Sequence, residues 1–101
     1  MSVITIYRAT TEEILVTVNG IDDLSGYTCH FVAKKNFSST EKAIDASSTS
    51  RDGNVYSFPL LPTETDVTKG NYIFETSISS GETERYIVEQ GYMRVKEVLK
   101  W

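Results

Sequence analysis

The chain holds one cysteine and one histidine, Cys29 and His30, side by side in the sequence. Thiol–imidazole chemistry needs the two groups within hydrogen-bond reach, and neighbours on an extended strand send their side chains to opposite faces. Cys29 therefore reads as a core thiol and His30 as a solvent-facing imidazole, with no catalytic dyad expected. Two soft ligands also fall short of the three a zinc site requires. A lone Cys29 closes no intramolecular disulfide and fits a chain made in a reducing cytosol.

Paired carboxylates occur at Glu12-Glu13 and Asp22-Asp23, and Glu82 and Glu84 flank a turn. Hard cations take such oxygens, but the spacing matches no calcium loop, so these read as solvated charges at strand ends and turns. A glycosidase needs two carboxyl groups held ~5–9 Å apart; the sequence supplies carboxylates without fixing any separation. The six glycines stand singly, as turn residues do, and form no phosphate-cradling loop. No catalytic, metal or cofactor site is expected.

Ten Lys and Arg against fourteen Asp and Glu give a net charge of −4, shared evenly between the two halves of the 101-residue chain. With no basic excess to neutralise phosphates, nucleic-acid binding is disfavoured on charge alone. No apolar run reaches the ~20 residues of a membrane span, and Ser2–Arg8 lacks the features of a secretory leader. We expect neither a membrane nor a nucleic-acid partner.

The elements that would position these side chains alternate apolar and polar residues, the period of strands. Ile4 and Ile6 share one face of Ser2–Arg8, with Val3, Thr5 and Tyr7 on the other. Ile14, Val16 and Val18 alternate before the Asn19-Gly20 turn signal. Tyr27, Cys29, Phe31 and Ala33 form a core-facing row, Lys42–Ala46 a short edge strand, and Asp52-Gly53 a hairpin turn into Asn54–Leu60. Asn71–Ser79 alternates and reverses at Ser80-Gly81 into Glu84–Gln90. Gly91 suggests a bulge, and Val95, Val98 and Leu99 also fit a helical turn. A further helical turn is expected around Thr63–Lys69. Seven to eight such strands in residues 1–101 predict one all-β domain, an antiparallel β-sandwich.

Most of the eleven aromatics fall at core-facing parity; Phe37 lies in a loop. Trp101 either folds back onto the sheet or meets a partner, because a solvated Trp is an exposed apolar patch. The edges at Ile4–Tyr7 and Lys42–Ala46 carry little charge to deter pairing with another chain. Ile4, Ile6 and Trp101 are therefore the expected partner contacts.

Tyr27 at a strand opening and Asp66-Val67-Thr68-Lys69-Gly70-Asn71-Tyr72 resemble the immunoglobulin-like sandwich, in which a Tyr hydrogen-bonds the preceding corner. The resemblance implies that role for Tyr72. Phe74 stands where an antibody domain has its second Cys, so only the architecture carries over. Asp23–Thr28, Ala33-Lys34-Lys35, Gly70–Glu75 and Gln90–Val95 resemble small sandwich modules of bacteriophage virions, the baseplate upper proteins and the capsid auxiliary or decoration proteins. That resemblance spans Ile4 to Val95. It implies a non-enzymatic virion protein, made in the bacterial cytoplasm, whose main partner is the major capsid protein, with self-association also open. Because the sequence stops soon after the last strand, a free-standing capsid auxiliary protein is expected over a baseplate or fibre component. A carbohydrate-binding module using Phe37 is the alternative.

Overall fold

The structure, a computed structural model, describes residues 2–81 and 84–99. It is all-β, with eight strands in two sheets: β1 (Ser2–Tyr7), β2 (Glu12–Thr17), β3 (Thr28–Lys34), β4 (Ile44–Ser48), β5 (Arg51–Asp52), β6 (Val55–Leu60), β7 (Gly70–Ser80) and β8 (Glu84–Lys96). A single helical turn, α1 (Pro62–Thr65), links β6 to β7. It is shorter than the Thr63–Lys69 expectation. Pro62 presets its first turn, and the Glu64 carboxylate accepts the Leu61 N–H at 3.0 Å.

One sheet runs β1-β8-β7-β3-β4 and the other β2-β6-β5. Strands leave one sheet for the other between β1 and β2, β2 and β3, β4 and β5, and α1 and β7, which gives the two-layer arrangement of a β-sandwich. Every pairing is antiparallel except β1 with β8, where Ser2 lies opposite Gly91 and Tyr7 opposite Lys96 in parallel. The sandwich is thus mixed, not purely antiparallel. The Asn19-Gly20 signal marks part of a crossing between layers; Val18 donates to Asn54 O at 2.8 Å. Asp52-Gly53 does turn a hairpin, with Gly53 at φ 62°.

Alternation buries one face of each layer. From β3 come Cys29, Phe31 and Ala33, from β6 Tyr56, Phe58 and Leu60, and from β7 and β8 Tyr72, Phe74, Ile78, Met93 and Val95. Phe31 stacks on Phe74 at 5.5 Å between ring centroids and meets Phe58 across the layers at 6.3 Å. The Tyr56 hydroxyl satisfies itself by donating to Tyr27 O at 3.1 Å.

Two local expectations are corrected. The bulge falls not at Gly91 but at Val88, where the β7–β8 register shifts between Thr76 and Ser77. Gly91 pairs regularly with Phe74; it is glycine because a Cβ there would lie 2.3 Å from Ser2 O and 2.8 Å from the Phe74 ring. Residues 95–99 form no helix: β8 runs to Lys96, held by the parallel ladder to β1.

Candidate functional site

Cys29 and His30 leave opposite faces of β3. The thiol is fully buried, and burial pushes its pKa up to about 11, which suppresses the reactive thiolate. The imidazole points outward, bridging two neighbouring strands through Ser47 Oγ at 3.0 Å from Nδ1 and Ser79 Oγ at 2.9 Å from Nε2. It is a cross-strand tie between β4 and β7, and the thiol is beyond its reach on the other side of the sheet.

The carboxylates are dispersed, and several are occupied by local partners. Asp23 accepts Ser25 N at 2.9 Å and Ser25 Oγ at 2.7 Å, bonds that hold its pKa below the ordinary value. Glu84 accepts the Tyr27 hydroxyl at 2.5 Å; this bond, followed by desolvation, drives the phenol up to about 12. Glu75 takes Arg85 at 2.9 Å and Gln90 at 2.8 Å. Arg8 bridges Asp66 and Glu97, and these two partners raise its pKa. Among the described residues, no group of three or more His, Cys, Asp or Glu side chains could hold a metal ion. No helix among them is long and apolar enough to cross a membrane.

Tyr72 sits where β7 turns up from the corner after α1. Its hydroxyl donates to Thr68 O at 2.5 Å, and Lys35 Nζ lies 4.3 Å from its ring centroid. The hydroxyl therefore ties the corner to the strand, while the ring is buried and capped by a cation.

The expected contact residues divide differently. Ile6 is buried in the core and Ile4 is half-buried against it, so neither offers a free contact; their alternation faced them inward once β1 joined the larger sheet. Trp101 lies outside the described residues. What β1 shows to solvent is the other row, Val3 (63% exposed), Thr5 and Tyr7. Val3 stands in register with Tyr92, itself 51% exposed, and Tyr92 with Ile73. This outward apolar row crosses three strands beside the open edge of β1. Tyr7, Tyr86 and Tyr92 stand outside the core-facing majority of the aromatics: all three are exposed. The signal was present in the sequence, since Tyr7 shares parity with Val3 and Thr5, opposite Ile4 and Ile6.

Four strands border the layers: β1 and β4 in the larger sheet, β2 and β5 in the smaller. Phe37, 71% exposed, stands over a shallow cavity of about 280 Å³ shared with Val32, Lys34, Ile73 and Glu75.

No family model matches the sequence, and no curated protein matches it. Among solved structures, the chain is similar in fold to part of a "putative glycoside hydrolase" from Bacteroides vulgatus ATCC 8482, with a TM-score of 0.60 and 14% identity. The likeness covers 96% of this chain and 17% of that one. It shows a shared fold.

Proposed function

We propose that this chain is a non-enzymatic auxiliary protein of a phage virion, built to dock on neighbouring capsid subunits. The observation that carries the reading is the outward row of exposed Val3 and Tyr92 and half-buried Ile73, lying against the edge of β1 that no other described strand pairs. Apolar side chains there supply burial, and the free backbone groups of the edge supply hydrogen bonds to an added strand. Many copies on one lattice reinforce weak contacts by raising effective concentration. The reading takes its virion setting from the sequence resemblance.

Mass spectrometry of purified virions tests it. Copy numbers near those of the capsid protein support a shell role, a few copies place the protein in the tail, and absence ends the proposal. Val3→Glu, on a solvated site, leaves folding within about 0.5 kcal/mol of the parent and reduces retention on the particle.

A second reading rests on Phe37. An aromatic ring exposed over a cavity bordered by Lys34, Lys42, Glu75 and Arg85 offers a stacking face with polar groups around it, as a sugar-binding site does. A glycan array with binding abolished by Phe37→Ala favours that reading over the first.

A further inference from the structure

The two layers do not close along one side. β1 pairs only with the second half of β8, from Gly91 onward. Among the described residues, no strand pairs with the outer edge of Glu84–Gln90, and none with the free edge of β2, which bonds β6 alone. These two unpaired edges face one another across a seam.

The seam is open, with apolar side chains set among polar ones. Its wider part, about 660 Å³, is lined by Val18, Ile21, Tyr27, Ile78, Tyr86 and Val88, among others. Its narrower part, about 290 Å³, lies between Ile4, Ile14, Val16 and Phe74, and shares Thr17 and Asn19 with the first. Tyr86 and Ile87 are each 48% exposed there, although they sit in the longest strand of the protein. A row of free backbone groups beside half-covered apolar side chains is the arrangement that accepts an added strand.

The charges select the occupant. Among the described residues, Asp22 is the one charged side chain lining the wider part and Glu89 the one lining the narrower part. Arg85, the nearby cation of β8, is engaged by Glu75 at 2.9 Å. The Val88 bulge and the inward-parity Glu89 discourage a flat, uncharged strand. A second copy is disfavoured, because a two-fold contact sets the same acidic groups against themselves. It would also bury far less through seven residues than the ~800 Å² per partner of a stable dimer.

We infer that this seam accepts an extended segment of a partner protein, carrying apolar side chains at alternate positions and Lys or Arg between them. The inference deepens the docking reading and rests on it for the partner's identity. Loss of the protein from virions would remove the capsid setting and leave the seam's binding chemistry standing.

The probe is an eight-residue end-capped peptide alternating valine with lysine, titrated into isotopically labelled full-length protein and followed by NMR shifts and amide exchange. Shift changes and new protection confined to Glu84–Gln90 and Leu15–Asp22 are expected. Glu89→Lys weakens binding roughly tenfold, about 1.4 kcal/mol, and Glu89→Gln about threefold, each with the parent's dispersed spectrum. Four results each overturn the inference: no shifts at ~2 mM peptide, shifts centred on β1 or β4, equal binding of the glutamate-for-lysine peptide, or self-association of the free protein through the seam.

Discussion

Replacing Gly91 by alanine adds one methyl group at the point where β1, β8 and the Phe74 ring converge. Gly91 does not have the positive φ of the turn glycines, so the backbone conformation itself admits alanine. The obstacle is space. The new Cβ would stand 2.3 Å from Ser2 O, 2.8 Å from Phe74 Cε1 and 2.9 Å from Phe74 Cζ. An ordinary carbon–oxygen approach is about 3.3 Å, so β1 must withdraw by about 1 Å. That takes a backbone N···O distance of about 2.9 Å to nearly 3.9 Å, beyond hydrogen bonding. Overpacking costs about 1–3 kcal/mol, and one lost ladder bond adds about 1 kcal/mol. We expect a loss of about 3 kcal/mol, which in a domain of this size lowers Tm by roughly 12–24 °C. Gly81→Ala is the control: its φ is +59° with nothing within 4 Å of the added Cβ, so it carries only the left-handed conformational cost of about 1 kcal/mol. Urea unfolding and amide exchange read both variants. A loss for Gly91→Ala no larger than for Gly81→Ala, with β1 protection unchanged, refutes the steric argument.

Tyr72→Phe removes the hydroxyl that donates to Thr68 O and keeps the ring, so stability falls by about 1 kcal/mol in denaturant titration. Thr65 is fully buried, and its hydroxyl donates to Thr10 O at 2.6 Å and accepts Thr10 N at 3.0 Å; Thr65→Val strands both groups and costs about 2–3 kcal/mol, while Thr65→Ser retains most of the stability. Cys29 stays unmodified by thiol reagents in the native protein, and labelling follows the unfolding curve. The folded Cys29 and Tyr27 hold their protons more tightly than the unfolded chain does, with pKa values of about 11 and about 12. Between pH 9 and those values the unfolded state has lost more protons, so stability declines as pH rises through that window; a flat profile from pH 8 to 11 contradicts both shifts.

Strand identity was legible wherever one face is covered. Cys29, Phe31 and Ala33 on β3, and Tyr72, Phe74 and Ile78 on β7, alternate with polar residues because the sheet they line packs on β6. The period of two is then the direct imprint of burial. The first half of β8 was legible from the Ser80-Gly81 turn that feeds it and not from alternation: Glu84–Gln90 is exposed on both faces apart from half-buried Val88, so no layer imposes a pattern. Gly91 misled because a glycine within a strand marks either a bulge or a close approach. Only the position of the Ser2 carbonyl, supplied by a strand ninety residues earlier, decides between them.

The contact surface was harder to read for a related cause. Sequence alternation separates the two faces of β1 but does not say which one the second layer covers; that depends on β1 joining β8 in parallel, a long-range pairing with no local signature. Once Val95 and Met93 face inward, register carries Ile6 and Ile4 inward beside them and leaves Val3 and Tyr7 outside. The parallel ladder begins with Ser2, the first described residue, opposite Gly91, and the bulge at Val88 lies just before it on β8. Among the described residues, Glu84–Gln90 is paired with β7 on its inner edge alone, and its outer edge carries no strand. Deleting Val88 would restore a regular ladder in which Ile87 still pairs with Ser77 and Tyr86 with Ile78, so Glu84–Ile87 keep their facing and only the bend beside the seam is lost. Peptide binding at the seam should change in that variant while amide protection of β1 stays at the parent's level, and a loss of β1 protection would show that the bend also supports the parallel ladder.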